Sequence, residues 1–211
     1  MRVLKKIHKI LHILKNQYPV SGTQLKFRNP IDILVATILS AQCTDKRVNI
    51  VTDSLFKKYR KIEDYARARQ AGLQKDIRST GFYRNKARNI IGSAKKIISD
   101  YNGIVPNNMD ELLSLPGVAR KTANIVLHNA FGIIEGIAVD THVRRLSGRL
   151  RLSRHKDPVK IEKDLMRITP KKDWGVISYL LIEHGRNTCF ARNPKCHICA
   201  LRKVCPSAKT N

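Results

Sequence analysis

Apolar residues recur along this chain at three- and four-residue intervals, with no sustained alternation of period two, and that confines it to helices. Ile31, Leu34, Val35, Ile38 and Leu39 form one such stripe, and Val48, Val51, Leu55 and Phe56 a second. Ala87, Ile90, Ile91, Ala94, Ile97, Ile98 and Tyr101 form a third, from Asn85 to a stop at Asn102-Gly103. Ala123, Val126, Leu127, Ala130 and Phe131 form a fourth, ended by Gly132. Shorter patterns predict helices from Met1 to Tyr18 (Leu4, Ile7, Leu11 and Leu14 inward) and from about Ile62 to Leu73. Others follow Asp140 (Val143, Leu146, Leu150) and Asp157-Pro158 (Ile161, Leu165, Met166), and the last runs from Asp173 to His184. Asn29-Pro30 reads as an N-cap with proline in the first helical position. Asn108 with Glu111 reads as a capping box for a short helix. No Ser/Gly/Pro-rich linker interrupts the series. The expectation is an all-α protein of one or two domains.

Charge narrows the partners. Forty-one Lys and Arg against sixteen Asp and Glu give a formal charge of +25. That excess does not suit an enzyme of small neutral substrates and predicts a polyanion, most naturally nucleic acid. It is spread along the chain, at Lys57-Lys58, Lys95-Lys96, Arg120-Lys121, Arg144-Arg145 and Lys171-Lys172, so it coats a folded surface rather than a basic tail. No apolar run is long enough to span a bilayer, so no membrane partner is expected. The N-terminal stretch is rich in Lys, Ile and Leu but lacks Ser, which favours a folded helix closed by Pro19 over a transit peptide; the expected location is cytoplasmic.

Four of the five cysteines crowd near the C-terminus. Cys189, Cys196, Cys199 and Cys205 are separated by six, two and five residues. Thiolates so close in sequence can close around one metal centre, and the crowding speaks against a disulfide framework. Zinc ribbons usually pair two Cys-x-x-Cys knuckles, whereas one knuckle occurs here, so the compact loop favours a [4Fe–4S] cluster over zinc. Cys43 stands apart and reads as a small buried hydrophobe.

Reactive chemistry converges on Leu115 to Phe131. Pro116-Gly117 makes a turn, and the backbone N–H groups of Gly117, Val118 and Ala119 in this Pro116–Ala119 hairpin lie at the start of a helix, an arrangement that binds phosphate without reading sequence. Lys121 lies just inside that helix, where the macrodipole favours anions. A neutral primary amine attacks an electrophilic sugar carbon and forms a Schiff base; the helix N-terminus and Arg120 both favour the neutral form. A carboxylate nearby could take the proton or stabilise a cationic, sugar-like transition state, and Asp140 is the candidate. Asp140 is also a plausible N-cap, and the two roles are compatible.

Together these stretches resemble the endonuclease III family, the helix-hairpin-helix DNA glycosylases of base-excision repair. The likeness runs through Leu39-Ser40-Ala41-Gln42 with Thr44-Asp45, Leu115 to Phe131, Val139-Asp140-Thr141-His142, His184-Gly185-Arg186 and the cysteine loop. The resemblance implies two helical domains flanking a DNA-binding cleft. Residues 22–132 would form a helical barrel with the hairpin near 115–119; residues 1–21 with 133–211 would form the second domain, with a [4Fe–4S] loop at 189–205. It implies a monomer acting on double-stranded DNA that holds damaged bases or abasic sites, in the cytoplasm and on the nucleoid. Lys121 would attack the sugar C1′ with Asp140 as its acidic partner, and β-elimination would cut the strand after a damaged pyrimidine is flipped out. Gln42 would fill the vacated space and Phe82 would be the wedge, where leucine is common. Gly117, Val118, Ala119, Arg120, His142 and Arg186 would touch DNA. Ala119 stands where glycine is usual, so strain is expected if that position needs a positive φ. Mismatch glycosylases resemble the same scaffold but lack the lysine. A mismatch- or pyrimidine-dimer-specific enzyme, or a non-catalytic DNA-binding module, are the alternatives.

Overall fold

A computed structural model describes residues 2–19 and 22–208. Met1, at the start of the predicted N-terminal helix, and Ser21, beside the predicted domain boundary, lie outside the described residues. Among the described residues there is no strand. Eleven α-helices run in order: α1 (Arg2–Gln17), α2 (Pro30–Ser40), α3 (Asp45–Lys58), α4 (Ile62–Ala66), α5 (Gln70–Asp76), α6 (Tyr83–Tyr101), α7 (Met109–Leu113), α8 (Arg120–Phe131), α9 (Thr141–Arg149), α10 (Pro158–Ile168) and α11 (Trp174–Asn187). They fall into two units, each with its own core: Gln24–Glu135, and the residues up to Thr23 joined to those from Gly136 onward.

In the Gln24–Glu135 unit α2 is central, packing against α3, α6 and α8. The Asn29 side chain caps it by accepting from the Asp32 N–H at 2.8 Å, and Pro30 fills the first helical turn. The stripe from Ile31 to Leu39 predicts one inward face. Instead every residue from Asp32 to Leu39 is buried and Ile31 is only partly so. Asp32 tolerates burial because the Arg28 guanidinium donates to its carboxylate at 2.9 Å and also bonds the Phe56 carbonyl. The single helix expected between Ile62 and Leu73 is two short ones, α4 and α5. Arg67 closes α4 by donating to the Glu63 carbonyl, and α5 starts at Gln70. α6 begins two residues earlier than the apolar pattern, at Tyr83, directly after a left-handed Phe82. Its stripe holds at Ala87, Ile90, Ala94 and Ile97, whereas Ile98 is exposed and Lys86 and Ser93 are buried.

The other unit docks α1 on α10 and α11, and α9 on α10 and α11. Ile7, Ile10, Leu11 and Leu14 bury the inner face of α1, but Leu4, expected inward, is exposed. The i to i+3 and i+4 spacing also fits Ile10, which lies between Ile7 and Leu14 on the same face. Lys15 of α1 pairs with the largely buried Asp173 carboxylate just before α11, at 2.5 Å. Asp157 caps α10 through the Lys160 N–H, and the Trp174 indole N–H donates to the Thr169 carbonyl.

α1 joins its core from the far end of the chain, and Leu14 is among the fully buried side chains that dock it. Leu14→Ala should therefore destabilise this unit by about 2–5 kcal/mol, the usual range for truncating a buried leucine. Denaturant melts of the two proteins would measure it, and a change under about 1 kcal/mol would contradict this packing.

Candidate active site and cysteine loop

The hairpin between α7 and α8 is built on one glycine. Gly117 has φ +76°, and a β-carbon there would lie 2.5 Å from the Asn89 Nδ2 of α6. Both the backbone conformation and the close approach require glycine. Val118 N–H donates to the Leu115 carbonyl at 3.1 Å, and Ser93 of α6 donates through Oγ to the Pro116 carbonyl at 2.8 Å. Leu115 and Val118 are buried beneath the turn, so Val118 offers a partner its backbone and not its side chain. Ala119 is extended (φ −99°, ψ 169°), which any residue adopts. The strain expected at Ala119 is absent, because the left-handed residue is Gly117.

Ala119 is also the N-cap of α8 and has no side-chain oxygen to accept from the first turn. The opening N–H groups of a helix have no intrahelical acceptor, and an alanine cap supplies none from its side chain. Lys121 is exposed in this first turn, one residue after the half-buried Arg120. Farther along the same helix Asn124 is buried and His128 half-buried, with burial lowering the His128 pKa.

Asp140 is the N-cap of α9 and accepts from the Val143 N–H at 2.8 Å. One cap bond leaves acceptor capacity on a two-oxygen carboxylate. His142, in the next turn, lies 3.1 Å from Arg145 Nη2 through Nδ1. Burial lowers its pKa and Arg145 and Arg186 act in the same direction, against Asp140 and the Gly185 backbone, which raise it. Gly185 of α11 permits this approach, since a β-carbon there would come within 2.8 Å of His142 Nδ1. Arg186 pairs with Glu183 on the surface at 3.7 Å.

Gln42 and Phe82 share an unusual conformation. Both have left-handed backbones, at φ 53° and 48°, and both are exposed, Phe82 at 63%. A large apolar side chain held in solvent by a costly backbone conformation is a feature that concentrates at functional sites.

The cysteines at 189, 196, 199 and 205 are half-buried free thiols lining one cavity of about 200 Å³. Among the described residues no group of three or more His, Cys, Asp or Glu gathers tightly enough to hold a metal ion. Arginines that the spacing does not single out fix the loop. Arg149 donates to the Cys189 thiol at 3.2 Å and to the carbonyls of Phe190 and Ala191, and Arg145 donates to the carbonyls of Cys189 and Gly185. The buried His184 sits between Cys199 Sγ (3.4 Å) and the Tyr18 hydroxyl (3.2 Å). Burial, and then the neighbouring cysteines, push the Cys199 thiol's pKa up; a bound cation reverses that preference. The only sequence signal for these supports is general: a loop without regular structure must find partners for its carbonyls.

Comparison with known proteins gives a consistent result. Residues 35–171 match the model of the HhH-GPD superfamily of base excision DNA repair proteins. Endonuclease III of Synechocystis sp. is 52% identical over 202 residues, covering 96% of this chain and 92% of that protein. Endonuclease III of Bacillus subtilis is 50% identical over 203 residues, with coverages of 96% and 92%. A solved non-covalent endonuclease III–DNA complex superposes with a TM-score of 0.92 at 46% identity, covering 97% of this chain and 96% of that one. With the family model spanning well over half of the sequence and such identities over nearly its whole length, the chain belongs to the HhH-GPD superfamily of base excision DNA repair proteins, on its endonuclease III branch.

Proposed function

We propose that this base-excision-repair DNA glycosylase removes damaged pyrimidines from duplex DNA and then cuts the strand as an AP lyase through a Schiff base on Lys121. The observation that carries the reading is an exposed lysine in the first turn of α8, behind a hairpin whose geometry only Gly117 permits and whose helix lacks a side-chain cap. A solved relative, 46% identical and described as a trapped endonuclease III–DNA covalent intermediate, supports the covalent step.

In this mechanism the Gly117–Arg120 backbone holds a phosphate at the positive end of α8 and places the sugar at Lys121. The neutral Lys121 Nζ forms a bond to C1′ as the glycosidic bond breaks, and the departing base takes a proton. Loss of the amine's own proton and opening of the ring leave an iminium, which acidifies the C2′ hydrogen. Its removal expels the 3′ phosphate. Asp140, anchored as the cap of α9, takes up protons and stabilises the cationic carbon. Gln42 and Phe82 enter the stack that the flipped nucleotide leaves, and His142 and Arg186 line the DNA path.

The cysteine loop fits a [4Fe–4S] cluster held by Cys189, Cys196, Cys199 and Cys205. Four soft donors around one cavity, not gathered at a point, suit a polynuclear centre better than a single zinc ion. Arg149 donates to Cys189 Sγ, which offsets thiolate charge, and His184 Nε2 lies within hydrogen-bond reach of Cys199 Sγ. The cluster would supply a covalent tie that orders a loop with little regular structure of its own.

Borohydride added during reaction with a duplex holding one abasic site should trap a covalent protein–DNA adduct. Lys121→Gln should give no adduct and still bind the duplex; an adduct of undiminished yield in that variant would assign the chemistry to another amine. For Asp140 the cap and the chemistry separate. Asn caps as well as Asp, so Asp140→Asn should keep the melting temperature and lose about 10²-fold or more in base release. Asp140→Ala should in addition lose about 1 kcal/mol of stability. Equal activity of Asp140→Asn and the native protein would reduce Asp140 to a cap. Purified under anaerobic conditions, the protein should carry iron and sulfide in equal amounts; stoichiometric zinc without iron would overturn the cluster assignment.

A further inference from the structure

The side chain of Lys86, in the first turn of α6, is buried, with 4% of the residue exposed. Enclosing an ammonium costs several kcal/mol unless it finds strong acceptors, and an apolar residue would fill the same space without that cost. Its Nζ donates to two carbonyls, Leu39 at 2.7 Å and Thr80 at 2.8 Å. Leu39 lies in the last turn of α2, and Thr80 ends a single 3₁₀ turn (Arg78–Thr80). The carbonyl ends of helices carry partial negative charge, which favours a cation even in a buried position. One ammonium thus clamps the ends of two separate elements.

Each clamped carbonyl lies a few residues ahead of an exposed side chain on a strained backbone. Gln42 comes three residues after Leu39 and Phe82 two after Thr80, and both are exposed and left-handed. Gly81, also at positive φ, lies between Thr80 and Phe82. A non-glycine residue in this region costs about 1–2 kcal/mol and persists where its surroundings over-determine it. Lys86 supplies that determination twice at Phe82, through Nζ on Thr80 and through its own N–H, which donates to the Phe82 carbonyl at 3.1 Å. At Gln42 it holds the turn in which Cys43 N–H donates to the Ser40 carbonyl.

We propose that Lys86 is the positioning residue for DNA insertion: its buried ammonium locks the Gln42 and Phe82 turns in one geometry before DNA arrives, so that both side chains enter the stack together. The proposal rests on the reading of Gln42 and Phe82 given above. A pre-formed pair spares the complex the ordering of two loops at the moment of base flipping. A protein lacking the clamp keeps Lys121 and the hairpin but meets the duplex with two mobile turns.

The test compares β-elimination at one abasic site in a duplex with the same site in an unpaired strand, where no stack needs holding open. Gln42→Ala and Phe82→Ala should each lower the duplex-to-single-strand rate ratio. Lys86→Met, apolar and of similar length, should lower it by about fivefold or more, the low end of what losing an aromatic stack on a base costs. Lys86→Arg, which keeps a cation with several donors, should recover part of the loss, a rescue that simple packing would not give. Added to the Gln42→Ala, Phe82→Ala pair, Lys86→Met should lower the ratio little further. If neither alanine variant moves the ratio, the insertion reading is wrong and the clamp proposal falls with it. If they move it and Lys86→Met does not, the clamp alone is refuted. Should Lys86→Met not fold, hydrogen exchange of the native protein decides. The Cys43 and Gly81 amides, both bonded within these turns, should exchange far below the rate of an unstructured chain; exchange at that rate would overturn the proposal.

Discussion

A helix leaves four N–H groups at one end and four carbonyls at the other without partners, and this protein's candidate chemistry gathers where those groups are answered in unusual ways. In the Gln24–Glu135 unit, the long helices α2 and α3 are capped by their own side chains, Asn29 and Thr44. The other long helices, α6 and α8, have no side-chain cap; α6 comes after Phe82 and α8 after the hairpin. A side-chain cap is worth about 1 kcal/mol. In the proposed reading, the start of α8 forgoes that stabilisation at the place where a phosphate would bind. Asp140 combines the two uses, since the oxygen that caps α9 also fixes the carboxylate where it can act.

The legible part of the fold is the part written in apolar spacing. Val48, Val51, Leu55 and Phe56 lie inward as their spacing requires, as do Val143, Leu146 and Leu150. Leu4 and Ile98 also fit a helical stripe and are exposed, because periodicity defines a face but not how far a neighbouring element extends along it. Buried polar residues carry no such signature. Asp32 and Lys86 look like surface charges in sequence, and their burial depends on hydrogen-bond partners that apolar spacing does not mark: Arg28 for one, Leu39 and Thr80 for the other. The all-round burial of α2 is hidden for the same reason.

The candidate site divides similarly. Lys121, Asp140 and the four cysteines stand out because each is a reactive group at a distinctive spacing. The hairpin is recognisable, but the positive φ belongs to Gly117, and Asn89 on another helix is what makes that glycine necessary. Val118 is a buried anchor and not a side-chain contact. The arginines of α9 read as generic basic charge until Arg145 and Arg149 are seen to hold the carbonyls of the cysteine loop. Spacing can nominate ligands, but the groups that orient them come from distant parts of the chain.

Two lysines in one unit, on α6 and α8, show how little residue type alone decides. Lys86 stands at the carbonyl ends of α2 and a 3₁₀ turn, where partial negative charge lets a cation remain buried. Lys121 stands at the amide end of α8, where the helix field opposes a cation and solvent carries the charge. The first arrangement suits a fixed strut and the second a group that must give up its proton to react. Exchanging the environments would remove both capacities, leaving an ammonium without acceptors in the core and a nucleophile tied to carbonyls. The polarity of the helix end thus separates the lysine proposed to shape the Gln42 and Phe82 turns from the lysine proposed to attack.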